Sequence, residues 1–252
     1  MRGNYRTGGG ESSNLRTTEF FNASGALERT SVRNETEPQE DGNYEIRADY
    51  QTTFIKPGRS LSASFQFSES ARSEVENYEE SITASEGIAL GETRQNSPSD
   101  NGRVQYLGQL DYSQKLGEKF KFEAGWRSTL QRLANVAVFT VFADDLNAFF
   151  KVDSNSNRFL YDEDVHAVYT TFGGKVDKFT FSGGLRAEQA YTTSELVEPT
   201  GEVFTNDYFK VYPSVFLGYS LSESSTLQAS YSRRVNRPRS RSLNPLLIVA
   251  TR

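Results

Sequence analysis

The chain has no cysteine, one histidine, one methionine and one tryptophan in 252 residues. Without cysteine there is no disulfide framework, no thiolate metal site and no thiol nucleophile. A lone His166 makes neither a zinc site nor a catalytic base by itself. Long hydrophobic runs are also missing, so no segment reads as a transmembrane helix. The opening, "MRGNYRTGGGESSN", lacks the apolar stretch of a secretory leader. Its three glycines have no following lysine and helix, so they make no phosphate loop. The formal net charge is only -5, which argues against a nucleic-acid binder. No catalytic set and no cofactor motif emerges, and the expected protein is not an enzyme.

What is present is aromatic. The chain holds 18 Phe and 13 Tyr against a total hydrophobic content of 36%. That content is low for a water-soluble core, and the aromatics are too many for a disordered chain. Apolar groups outside and polar groups inside would give this mixture.

The dominant period is two. In "NYEIRADYQTTFI", Asn43 to Ile55, one face carries Tyr44, Ile46, Ala48, Tyr50 and Phe54. The other carries Glu45, Arg47, Asp49 and Gln51. This is a strand with one apolar and one charged face. Similar units recur around turns at 56–59, 115–118, 175–178 and 221–225, with a weaker first turn at Ser24-Gly25. The pattern predicts roughly ten strands in about five hairpins. Between them lie long polar stretches, at 68–102, 131–161 and 192–206, expected to be loops. The fold class expected is all-β: an antiparallel up-and-down transmembrane β-barrel, with short periplasmic turns and long extracellular loops. Aromatics beside the short turns, such as Phe54, Tyr112, Phe120, Phe179 and Tyr219, mark one interfacial girdle.

Two stretches then stand out. "YSRRVNRPRSRSLNPL", Tyr231 to Leu246, packs Arg233, Arg234, Arg237, Arg239 and Arg241 closely. Continued alternation puts Arg234 and Asn236 on the polar face and Arg233 on the lipid face, where its long side chain can snorkel. "GGLRAEQAYT", Gly183 to Thr192, is the second. Together they resemble segments of TonB-dependent outer-membrane receptors of the Bacteroidetes type. Family members read Tyr-Ser-Arg-Arg-Ile-Asn-Arg-Pro, then Leu-Asn-Pro-Phe. Val235 and Leu246 are conservative departures.

The resemblance implies an importer of a scarce, bulky solute, such as an iron chelate or a glycan. It implies a plug domain, a TonB complex acting on that plug, outer-membrane lipid around the barrel and a surface lipoprotein partner. It also implies a barrel of about 22 strands. The strands counted are fewer, so residues 1–252 are expected to be a partial barrel, without plug or final strands. A passive porin, a surface adhesion barrel or a soluble β-rich binding domain would alternate in the same way.

Candidate lumen or ligand residues are Arg186, Glu188, Arg234, Asn236 and Arg237. The arginines fit a structural network with carboxylates, and also an anion contact. A weak calcium candidate is "DSNSNRFLYDED", which places Asp153, Asn155, Asn157 and Asp164 at loop spacing. Arg158 stands where such a loop needs glycine, and the final ligand is Asp rather than Glu.

Overall fold

A computed structural model describes residues 1–55 and 57–235. It forms one 11-stranded antiparallel sheet. In chain order the strands are β1 (Arg2–Phe21), β2 (Leu27–Thr53), β3 (Arg59–Ala84), β4 (Ala89–Leu116) and β5 (Phe120–Ala137). A small hairpin follows, β6 (Thr140–Ala143) and β7 (Ala148–Lys151), then a 3-10 turn at Asp153–Asn155. The series ends with β8 (Asn157–Val176), β9 (Phe179–Glu198), β10 (Glu202–Ser220) and β11 (Thr226–Ser232). Each long strand pairs with its neighbour in sequence, except that β5 pairs with β8 across the small hairpin. Among the described residues the sheet does not close, and β1 and β11 are its edges.

The register preserves the alternation from strand to strand. Tyr106 lies between Phe67 and Leu130, and Trp126 between Leu110 and Val168. One face therefore carries apolar rows across the whole sheet. Beside the short turns the rings meet: Phe54 with Tyr112 at 6.4 Å, and Phe120 with Phe172 at 5.9 Å. A second aromatic row, Tyr44, Phe67 and Tyr106, has centroid separations of 6.0 and 5.1 Å. Tyr44 and Phe54 are separated along the chain by about 33 Å of strand. At a strand tilt of roughly 40° that is about 25 Å of height, the thickness of an outer-membrane apolar band.

The polar stretches expected as loops are strand for most of their length. β3 runs on to Ala84 and β4 begins at Ala89, so 68–102 is a paired hairpin with a tip near Gly87. Likewise 192–206 is the top of β9 and β10. Above the membrane neither face needs to be apolar, so alternation disappears while backbone pairing continues. Polar cross-links replace apolar contacts there: Ser31 Oγ donates to Glu80 at 2.5 Å, and Asn96 Nδ2 to Asn77 at 2.5 Å. The ambiguous apolar piece 134–150 is the end of β5 plus most of the small hairpin. That hairpin takes over β4's edge where β5 departs, through Gln95 and Asn96 opposite Val141 and Thr140. Arg94 fixes it, with its guanidinium 3.5 Å from the Phe142 ring centre and 3.0 Å from Asp144.

Candidate functional site

The second face of the sheet is polar, and on four of its strands the charges follow one pattern. A base precedes an acid by two residues on the same strand and face. Arg33 reaches Glu35 at 3.7 Å, Arg47 reaches Asp49 at 2.9 Å and Arg72 reaches Glu74 at 2.7 Å. Lys121 reaches Glu123, and Arg186 reaches Glu188, each at 2.6 Å. Positions two apart on a strand share a face and lie about 7 Å apart. Long side chains close that gap. β2, β3, β5 and β9 thus carry counter-ions of their own.

Two tiers result. At the level of the apolar band, Gln109 donates to Asp111 at 2.8 Å, and the Tyr169 hydroxyl also donates to Asp111. The Arg186 guanidinium lies 5.5 Å from the Tyr169 ring centre, and its partner Glu188 is only 3% exposed. Tyr212, also buried, stands opposite Arg186 on β10. A polar network therefore links β4, β8 and β9.

Above it is a cavity of about 1140 Å³. β2 to β5, the start of β8 and the segment around Phe139 and Asn155 line it. Arg33, Arg72 and Arg103 face Asp41, Glu74 and Glu76. Six amides join them, among them Asn101, Asn135 and Gln95. Apolar patches come from Tyr78, Phe139 and Phe159. Phe159 belongs to a small core with Tyr161 and Leu196. Arg33 stacks on Tyr78 at 3.9 Å, Arg103 donates to Gln131 at 2.7 Å and Asn135 donates to Asn101. Burial raises the Glu76 carboxyl pKa, and the neighbouring Glu35 adds to the rise by hydrogen bonding and repulsion. Glu35, Glu37 and Glu76 place carboxylate oxygens within 4.8 Å of one another.

The structure brings Arg186 and Glu188 together on the polar face. Arg234 follows β11 with the parity of Ser230 and Ser232, which pair with the polar face of β10. Arg233 has the parity of Tyr231, and its N–H bonds to Pro213 O at 3.1 Å. Asn236 and Arg237 lie outside the described residues. The calcium-spaced residues are spread out. Asp153 pairs with Lys151 at 3.4 Å, Asn155 is in the 3-10 turn and Asn157 opens β8. Asp164 lies farther along the extended β8 and binds Arg132 at 2.6 Å. One pair had no sequence signal: Ser128 Oγ lies 2.8 Å from His166 Nδ1. The two are opposed in the β5–β8 ladder, on the apolar face with Trp126 and Val168. Only the register brings them together.

Long paired strands, one aromatic-belted face and one charge-paired face define a wall of an outer-membrane β-barrel. Residues 52–251 match the outer membrane protein beta-barrel family, and the chain belongs to that family. It is an outer-membrane protein. No curated protein sequence matches it. Among solved structures it is similar to the FrpB iron transporter of Neisseria meningitidis, at 12% identity and a TM-score of 0.41, over 92% of this chain and 45% of that one. It is also similar to the siderophore receptor PiuA of Acinetobacter baumannii, at 9% identity and a TM-score of 0.41, over 91% and 48%. The copper transporter OprC gives 12% identity and a TM-score of 0.44, over 91% and 40%. The chain spans less than half the length of each.

Proposed function

We propose that this chain forms part of the barrel wall of a TonB-dependent receptor that imports a bulky solute across the outer membrane. One observation carries the proposal: a roomy polar cavity sits on the polar face, above a polar network at membrane level. The cavity is the capture site, and the network below lines the route. In this reading the plug and remaining strands belong to the same longer protein. The TonB complex supplies energy through the plug, and a surface lipoprotein delivers the solute. Arg186, Glu188, Arg234, Asn236 and Arg237 are assigned to the lumen wall, and no catalytic role is assigned to any residue.

The test is deletion of the reading frame in its host, followed by uptake assays with and without a protonophore. An importer predicts solute uptake that falls on deletion and on loss of the proton-motive force. A passive porin predicts uptake that ignores the protonophore, with open-channel conductance in planar bilayers. That result would overturn the proposal.

A further inference from the structure

The chain is acidic, yet its lysines gather at one end of the sheet. Six of the eight fall in three short stretches, 56–59, 115–123 and 175–178, which hold the turns after β2, β4 and β8. With Arg59 they outnumber the carboxylates there, Glu118, Glu123 and Asp177, by seven to three. The opposite end has the reverse balance: residues 68–102 hold eight carboxylates and two arginines. The fourth short turn, 221–225, carries Glu223 and no base, so the basic strip ends at β9. Lys56 lies outside the described residues.

The fold joins the turns into one rim. Lys115 N–H donates to Gly58 O at 2.7 Å, Lys175 N–H to Lys119 O at 3.0 Å and Ser220 N–H to Lys178 O at 2.8 Å. The Lys115 stem lies across Gly58, where a Cβ would stand 2.7 Å from the Lys115 Cβ. Asp177 serves the backbone: its φ of 53° is the left-handed conformation that a tight turn uses and that Asp tolerates.

Lysines with a carboxylate in reach use it, as Lys121 does with Glu123 and Lys151 with Glu198. Lys115, Lys119, Lys175 and Lys178 are exposed and make no ion pair among the described residues. Register fixes where they can look for one. Lys115 is opposed to Lys121, and Lys175 to Thr180, all with the parity of the polar face. Lys119 and Lys178 stand at the turn tips. Lipid phosphates lie outside the wall, on the side of Phe120 and Phe172. The strip therefore offers its charge to the periplasmic mouth rather than to lipid. From β4 to β9 is three strand spacings, roughly 15 Å. An extended polypeptide of about five residues covers that length.

We propose that this rim is a docking strip for a short acidic segment of a periplasmic protein, laid in extended form across Lys115, Lys119, Lys175 and Lys178. Unpaired ammonium groups held at fixed spacing meet carboxylates without first breaking ion pairs of their own. The strip needs only the barrel's place in the outer membrane. It is independent of what the barrel carries, so uptake results do not decide it.

The experiment is lysine acetylation of the purified full-length protein in neutral detergent, read residue by residue by mass spectrometry. The probes are hexaglutamate, hexaserine and phosphatidylglycerol. Hexaglutamate at low salt is expected to slow acetylation of the four lysines about fivefold or more. Lys151, at the other end, should be unaffected. At 1 M salt, where charges are screened within about 3 Å, the protection should vanish. Replacing all four lysines by glutamine should weaken hexaglutamate binding about tenfold, and replacing them by arginine should keep it within about twofold. Heat-modified gel mobility would verify that each variant is folded. Equal or better protection by phosphatidylglycerol or hexaserine overturns the inference. So do four lysines that are already unreactive without peptide, or hexaglutamate binding that survives the glutamine substitutions.

Discussion

Tyr169 lies across Gly125. The two are directly opposed on β8 and β5, and a Cβ on Gly125 would stand 2.5 Å from the Tyr169 ring. The ring takes the space a side chain would fill, and this aims its hydroxyl at Asp111. Gly125→Ala is therefore expected to push Tyr169 off its site. Overpacking of this kind costs about 1–3 kcal/mol. A lower urea midpoint for the barrel refolded in detergent checks this, and an unchanged midpoint would count against the ring's placement.

Glu188 is the most deeply buried charge in the membrane-level network, at 3% exposure. Glu188→Ala leaves Arg186 without its 2.6 Å partner. Breaking a buried pair costs roughly 3–5 kcal/mol, and the partial exposure of Arg186 should bring this nearer 2. Glu188→Gln keeps the shape and a hydrogen bond, and is expected to lose less. Equal losses in the two variants would show that packing, not charge, is what matters.

Trp126 is the only tryptophan and is 43% exposed on the apolar face. It sits between the two aromatic rows, where acyl chains belong. Its fluorescence in vesicles should be quenched by lipids brominated midway along the chain. Acrylamide in the water should quench it weakly. The opposite ranking would place this face against water or protein.

Glu76 lies above the membrane band, and its pKa is raised from 4.5, chiefly by burial. A carboxyl with a raised folded pKa binds protons more readily folded than unfolded. Its favourable contribution is present in acid and is lost as pH rises from about 4.5 through the raised value. Glu76→Gln should then stabilise the β2–β3 extension at pH 7.5 and do little at pH 4. Partial exposure keeps the gain under about 1 kcal/mol. Hydrogen exchange of residues 70–84 at the two pH values would measure it. Faster exchange of the variant at pH 7.5 would refute the sign.

Arg94 holds the small hairpin by one ring and one carboxylate. Arg94→Ala should cost about 1 kcal/mol. It should also open 138–156 to limited proteolysis while the membrane-level strands stay protected. Unchanged cleavage would mean that pairing of β6 with β4 alone fixes the hairpin.

The membrane half of this sheet was legible in the sequence because lipid demands apolar residues at every second position. Tyr44 to Phe54 shows that demand directly. The outer half was not. From Ser70 to Ala84 both faces are wet, so β3 reads as loop although its backbone stays paired. For the site, Arg186 and Glu188 were visible as polar positions in an alternating strand. The cavity was not, since it joins Arg33 to Phe159 across several strands. The Ser128–His166 contact shows the same limit: composition names the residues, and only register makes them neighbours.

The in-strand pairing of bases with acids has a consequence for how such walls change over time. A strand that neutralises itself makes no electrostatic demand on the next one. A hairpin such as β2–β3, whose Arg33, Arg47 and Arg72 find their carboxylates within it, could then be duplicated, lost or exchanged without stranding a charge in the lumen. The barrel would behave as a set of interchangeable staves. Its girth and its pocket would be free to diverge while each stave stays individually sound.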